Sequence, residues 1–575
     1  MSQKKLKRLR REVLVSKQEI TEKLLPRFWE IVKKNWKFLL ILLVATVAIY
    51  SNGLNGDFVS DDYASITQES KIGDFWYMFT KNGSVLNSLY MSTFFINKLF
   101  GFTSPIPFHL FSLSIYLLFL VVAFVLVVLV TKSEKVAMFT LFLFALHPIH
   151  VEAVSWISGG IYIILAIYIC LSLINFIYYI NSGKNKYLLY SGLFFLLGFL
   201  TDKPRPFAAF LLMGLYLIFL GWDRVKDKLP KLLGIVSVVF FIALIIAWPY
   251  INTRIGIVNS GYNATDGIFY NPFFQYPTAV TKYLQLLWYP VDLTLYHTMY
   301  ILPSWLNWLV LINYLALVVY FFFRDKRYFW SLSFIFVAIA PSISPIKVSW
   351  LVAERYMFLG SLGFCWFLGL LLADHSKKLK IVVPVLSASL LLYFGVRVYM
   401  RNIDWQTNHN LWVNTCQVSP NSHNAWNNIG DDYDKLKDYD NSVKGFTQSV
   451  LVKPNYADAY HNRANIFYKT GRLDLARESY ETALKFSPSL FQTYLSLTQI
   501  DLFEKKADLA LAHAGKAVEL QPSNPQAQYV LGIVKAQVGQ LEEAKEIFQL
   551  IVAEYPNYQP AVEALKSISA LPSGT

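Results

Sequence analysis

WKFLLILLVATVAIYSNGLNGDFVSDDYASI, residues Trp36 to Ile66, runs an apolar stretch, Trp36 to Tyr50, almost directly into two adjacent carboxylates, Asp61 and Asp62. A run of that length spans a bilayer when aromatic and lysine flanks sit in the interface. The two aspartates then lie at the membrane's rim. A low dielectric and a neighbouring negative charge both raise a carboxyl pKa, which suits a group that must accept a proton near neutral pH. A solvated acidic loop would carry the same two letters, so the surrounding chain has to decide between these readings.

Of the 575 residues 55% are hydrophobic, 17% aromatic and only 16% charged, too apolar for an ordinary soluble domain. The excess is uneven. Residues 1–35 form a basic segment, 36–400 carry repeated apolar runs, 401–422 connect, and the remainder reads as a soluble helical array. The net charge of +14 comes from short Lys/Arg clusters beside apolar runs, with no separate basic domain, so nucleic acid is not an expected partner. Three cysteines, two of them inside apolar runs, offer neither a disulfide framework nor metal spacing.

After the first run, further apolar stretches lie at 108–130, 136–146, 161–180, 187–200, 207–220, 232–249, 305–323, 329–340, 357–373 and 381–399. They predict a helical membrane domain of about eleven spans. Positive charge collects in alternate loops, at Lys132 and Lys135, Lys184 and Lys186, Arg224 to Lys231, Arg324 to Arg327, and Lys377 to Lys380. Those loops and the basic N-terminus therefore face the cytoplasm, and Asp61, Asp62 and everything after Arg401 face the other way. The expected outer loops hold HPIHVEAVSW (His147 to Trp156), TDKPRPF (Thr201 to Phe207) and LVAERYMF (Leu351 to Phe358). Ionisable groups gathered at one membrane face mark a candidate site at that rim.

Beyond residue 401 the prolines Pro420, Pro454, Pro488, Pro522 and Pro556 recur every 34 residues, the tetratricopeptide period. Trp426, Ile429, Gly430, Tyr433 and Phe446 fill the signature positions of the first unit, and Tyr460, Ala464, Phe467, Ala476, Tyr480 and Ala483 those of the second. Residues 423–556 thus predict four repeats forming an α-solenoid, with 557–575 as a capping helix and tail. Such arrays bind extended polypeptide or act as rigid spacers.

GDFVSDD, HPIHVEAV and AERYMFLGSLGF, in this order and followed by a tetratricopeptide array, resemble the transmembrane and tetratricopeptide-repeat O-mannosyltransferases, a branch of the C-type (GT-C) glycosyltransferases. The resemblance implies an all-α chain. It also implies transfer of a sugar, mannose in that family, from a polyprenyl-phosphate donor to a Ser or Thr hydroxyl of a protein acceptor, with inversion at the anomeric carbon. On this reading Asp61 is the expected base and Asp62 the second choice. Arg355, Lys203 and Arg205 are expected at the donor phosphate, since guanidinium engages two phosphate oxygens at once. Lys203 and Arg205 would equally well anchor the interface by snorkelling. His147, His150, Glu152 and Glu354 are expected to hydrogen-bond sugar or acceptor. The His147-Pro-Ile-His150 spacing does not match a helical zinc pair, so no metal is expected there, and no cofactor is implied. The repeats are expected to hold the acceptor. Asn82 and Asn263 begin glycosylation sequons on the expected outer side. Two other functions fit parts of this pattern: a lipid-linked oligosaccharide or polymer transferase of the same fold, and a non-catalytic membrane-anchored scaffold. The membrane could be a bacterial inner membrane, with the array in the periplasm, or that of the endoplasmic reticulum, with the array in its lumen.

The topology is directly testable. A reporter fused after Thr575 should be active only on the extracytoplasmic side; activity confined to the cytoplasm would overturn the assigned orientation.

Overall fold

The computed structural model describes residues 26–68, 71–80, 88–101, 104–202, 204–220, 226–260, 271–300, 302–343 and 350–569. Lys203, both sequon asparagines and residues 1–25 of the basic segment lie outside these. The described secondary structure is entirely helical, and the chain divides into two compact units, Met1–Asn414 and Thr415–Thr575.

Among the described residues of the first unit, five helices are long and apolar enough to cross a membrane: Trp36–Asn55, Ile106–Thr131, Ile157–Ser182, Ser304–Arg324 and Val382–Asp404. A sixth span is possible if Glu134–Ala145 and Pro148–Ser155, bent by 59°, are one broken crossing. Arg205–Leu220, Gly234–Ile246 and Gly360–His375 are apolar but shorter. At 1.5 Å per residue a helix of that size covers only about 20 Å of a hydrocarbon core of roughly 30 Å. Apolar runs and full-length crossings are therefore not the same set here.

Burial ranks the helices. Ile106–Thr131 and Ile157–Ser182 are 72% buried over their most apolar windows, whereas Ser304–Arg324 is 11% buried. The first two form the centre, and the last presents Leu309, Ile312, Leu315 and Val319 outward as an apolar, lipid-suited face. Close approach at the centre depends on small residues. A Cβ on Gly363 would lie 2.7 Å from the Ser331 carbonyl oxygen and 2.8 Å from the Ile335 nitrogen, so only glycine lets the Gly360–His375 helix lie against Lys326–Ile339.

The rim that carries the acidic pair is stitched to the end of Val382–Asp404 by buried amides. Asn402 donates to Asn52 Oδ1 at 2.8 Å and accepts from the Ser155 hydroxyl at 2.8 Å, while Gln406 donates to the Asn52 carbonyl at 2.9 Å. Further along, Asp57 N–H donates to the Gln406 carbonyl and Ser60 N–H to Asn408 Oδ1, both at 2.8 Å. These bonds hold Ser60 at φ 53°, a left-handed conformation that costs a non-glycine residue about 1 kcal/mol or more.

The second unit stacks four helix pairs, from His423–Lys435 with Tyr439–Val452 to Pro525–Gln537 with Leu541–Glu554, and closes on Gln559–Ser569. Within the first pair Gly430 lies against Phe446, where a Cβ would fall 2.8 Å from the ring. This is the small-against-large contact that the repeat period demands. Fully buried Asp501 is shared by Arg477 and His513, each 2.6 Å away, which ties two neighbouring repeats together.

Asn402 is the most exacting residue of the rim. Asn402→Leu keeps its size but strands the Ser155 hydroxyl and the Asn52 side-chain oxygen, a loss of about 2–4 kcal/mol. The protein should melt several degrees lower in detergent; an unchanged melting temperature would show that the stitch carries no load.

Candidate functional site

The acidic pair divides into two environments. Asp62 is fully buried. Its Oδ1 accepts from the Ser158 backbone N–H at 2.9 Å and from the Ser158 hydroxyl at 2.5 Å, and its Oδ2 accepts from Val59 N–H at 3.3 Å. Ser158 sits in the turn Ile157–Gly159 that leads into the helix Gly160–Ser182, where backbone donors have no partner within the helix. Asp62 supplies one, placing negative charge at a helix N-terminus. Burial nevertheless pushes its carboxyl up to about 7, against the pull of the Ser158 and Val59 bonds and with a further push from Asp61. Asp61 is open at the surface. Its carboxyl is also raised, first by the water that the surrounding protein excludes, while Arg355 pulls it back. Asp61 and Arg355, nearly 300 residues apart, are thus within electrostatic reach of each other.

Arg355 is placed by Glu152. Its guanidinium is ion-paired with Glu152 Oε1, and its own backbone N–H donates to Glu152 Oε2 at 2.7 Å. Glu152 is completely buried, so both carboxylate oxygens are spent on one residue. Rings complete the seat, with the guanidinium 5.3 Å from the Trp156 centroid and 5.1 Å from that of Tyr356. Arg205 approaches from the other side. It is ion-paired with Asp202, donates to the Tyr162 hydroxyl at 3.1 Å, and lies 4.6 Å from the Tyr162 ring and 5.6 Å from Tyr356.

Arg205 and Arg355 both line one small cleft that is partly open to solvent. Tyr162 and Tyr356 stand beside them; Leu165, Ala166 and Ile169 along one helix, with Ala338, Phe358 and Leu359 opposite, make the rest apolar. Two fixed cations above a hydrocarbon wall suit an anionic headgroup that carries an apolar tail. Side-chain exposure is 28% for Arg205 against 9% for Arg355, so Arg205 is the more accessible of the two.

Glu354 points away from this cleft. It accepts from Thr294 N–H at 2.5 Å and pairs with Arg401 at 3.4 Å, and His297 is also 3.4 Å away. Burial raises its carboxyl to about 7 although Arg401 and Thr294 oppose the rise, and His297 is held down at about 3, first by burial and then by Lys282. His147 and His150 are fully buried and engaged at both nitrogens. His147 contacts the Leu287 carbonyl at 3.0 Å and accepts from Ile149 N–H; His150 lies 3.2 Å from the Tyr116 hydroxyl and 2.7 Å from that of Ser361. Their geometry fits them to hold the broken segment in shape, whereas Asp61 is exposed and Arg205 and Arg355 line the cleft. Among the described residues no group of three or more His, Cys, Asp or Glu could hold a metal ion.

Ser158, Trp156, Tyr162, Tyr356 and Arg401 carry no role expected from the sequence. The one available signal is Ser158-Gly-Gly before an apolar run, which marks a helix start and hence a set of free backbone donors.

Tetratricopeptide-repeat models match residues 423–456, 457–490 and 503–568. Over 92% of its length the chain is 22% identical to human protein O-mannosyl-transferase TMTC3, of which it covers 61%, with the same figures for the mouse protein. It is 24% identical to the Caenorhabditis elegans protein O-mannosyl-transferase F38B6.6, over 73% of this chain and 63% of that one. The solved structure of YrrB, described as a tetratricopeptide protein with an unusual peptide-binding site, covers 28% of this chain and 82% of its own at 18% identity, with a TM-score of 0.25, and adds nothing to the repeat assignment. The chain spans about three fifths of the length of the curated relatives it matches first. In its repeats, and along nearly its whole length, the chain is similar to the TMTC-type, tetratricopeptide-containing protein O-mannosyl-transferases.

Proposed function

We propose that this protein transfers a sugar, mannose by its likeness to the TMTC relatives, from a polyprenyl-phosphate donor to Ser or Thr hydroxyls of a protein acceptor on the extracytoplasmic side of a membrane. The observation that carries the reading is the cleft in which Arg205 and Arg355 face an apolar wall, with Asp61 in electrostatic reach of Arg355. A polyprenyl phosphate has the two features such a cleft selects, an anion and a hydrocarbon chain.

The reaction follows from these parts. Asp61 takes the proton of the acceptor hydroxyl as its oxygen attacks the anomeric carbon. The bond from that carbon to the phosphate oxygen breaks, and the phosphate leaves with the bonding pair. Arg205 and Arg355 stabilise the charge that develops there, in a site where little water competes. A single displacement inverts the anomeric centre. Asp62, turned inward onto Ser158, supports the loop and takes no proton from the substrate. Lys203, two residues before Arg205 in the chain, is assigned to the same phosphate. His147, His150, Glu152 and Glu354 act through the residues they hold in place.

In this scheme residues 36–400 form the transferase domain, with about eleven crossings if the bent pair, the three shorter apolar helices and also Asn185–Thr201 and Lys326–Ile339 each cross. Residues 401–422 connect it to the repeats, and 423–556 present the acceptor polypeptide along the array. A scaffold without catalysis would have no use for paired guanidiniums in an apolar cleft.

Purified full-length protein, incubated with polyprenyl-phosphate mannose and a Ser/Thr-rich secreted protein, should add hexose increments to the intact mass of the acceptor. Asp61→Asn, nearly isosteric, should lower the rate by about 10²–10⁴-fold without altering the melting temperature. No hexose from the wild type with any lipid-phosphate sugar would reject the proposal, and full activity in Asp61→Asn would reject the base.

A further inference from the structure

We infer that Ser158 is a positioning residue that decides which of the two aspartates serves as base. It locks Asp62 inward as the carboxylate of a helix N-terminus and leaves Asp61 as the carboxylate presented at the mouth. This inference rests on the transferase reading for its consequence in catalysis, but its structural content stands apart from it.

Ser158 offers Asp62 both of its donors, the backbone N–H at 2.9 Å and the hydroxyl at 2.5 Å, on the same oxygen. The other oxygen is taken by Val59 N–H. Asp62 is therefore saturated by its own loop and by the start of Gly160–Ser182, and its side chain has no route to a substrate. The register of Ser158 is itself fixed. A Cβ on the next residue, Gly159, would fall 2.6 Å from the Glu152 carbonyl oxygen, so the turn closes against the segment whose Glu152 side chain holds Arg355. One turn thus sets the inward aspartate, and the segment behind it sets the cation at the cleft.

Among the described residues the charged and titratable neighbours are Asp57, Asp61, His109, Glu152 and Arg355. Asp61 lies on the same loop, and Arg355, with Glu152 behind it, faces Asp61 from the segment before Gly360–His375. His109, on Ile106–Thr131, is bonded to the Gly56 carbonyl at the base of the loop. The donors from Ser158 favour the ionised form of Asp62, so their loss raises its pKa. A neutral Asp62 no longer repels charge on Asp61, and the pKa of Asp61 falls. In Ser158→Ala the backbone donor remains and only the hydroxyl is lost.

Two measurements on the full-length protein in detergent test this. The first is independent of activity: infrared titration of the protonated-carboxyl band, assigned to Asp62 by its absence in Asp62→Asn. In Ser158→Ala the midpoint should rise by about one to two pH units, and Ser158→Thr, which keeps the hydroxyl, should restore it. An unmoved midpoint would overturn the inference whether or not the protein transfers sugar. The second is the pH profile of sugar transfer. The acid limb should move to lower pH in Ser158→Ala, with a lower plateau, and return in Ser158→Thr. A limb that moves to higher pH would make Asp62 the base, and one that stays in place would leave Ser158 with no part in choosing it; either contradicts the inference. A wild type that transfers nothing would defeat the functional reading, with the infrared result still deciding the structural one.

Discussion

The buried ion pair between Glu152 and Arg355 is the constraint around which the membrane unit is arranged. An ion taken out of water into a low-dielectric interior costs several kcal/mol unless a partner meets it with good geometry and its remaining donors or acceptors are filled. Glu152 meets Arg355 twice, through the guanidinium and the backbone N–H, and Trp156 and Tyr356 cover the planar faces. Removing one partner of such a pair typically costs about 3–5 kcal/mol, because the survivor stays buried and unpaired. Every element that contributes to the seat is thereby fixed relative to the others: the broken helix before Trp156, the turn into Gly160–Ser182, and the segment ahead of Gly360–His375. The neighbouring residue extends the arrangement. Glu354 faces the opposite way and pairs with Arg401, so two consecutive residues of the chain tie two different helices to one point.

This rigidity has a chemical consequence. Arg355 reaches the cleft with most of its hydrogen-bonding geometry already determined, and Arg205 is held by Asp202 and Tyr162 on the other side. Little reorganisation remains when an anion arrives, which is the condition under which fixed charges stabilise a developing charge most effectively. The two aspartates show the same logic with the opposite sign. Adjacent in sequence, they differ because one side chain is saturated by a helix start and the other is left facing outward.

Much of this was legible in the sequence, for identifiable reasons. The 34-residue proline period shows the repeat array because helix-pair stacking leaves a fixed signature in every unit. The apolar runs point to a membrane domain, and four short motifs point to a rim carrying Asp61, Asp62, His147, His150, Glu152, Arg205, Glu354 and Arg355. The number of full crossings was not legible, since hydropathy does not record where Pro148 breaks a helix or where one stops after some 13 residues. Nor were the partnerships. Glu152 and Arg355 are 203 residues apart, and nothing local announces that they meet. Histidines in a polar motif read as ligands to substrate, yet both are satisfied internally, because a buried imidazole must find partners wherever it is placed. Ser158, a serine beside two glycines, signals only a helix start in the sequence.

The central claim is that Arg205 and Arg355 together form a receptor for a lipid phosphate. Calorimetric titration of the purified full-length protein with a polyprenyl monophosphate tests it most directly. The account predicts saturable binding that Arg205→Gln and Arg355→Gln each weaken by about tenfold or more and that Asp61→Asn leaves intact. Wild-type affinity in both arginine variants would contradict it.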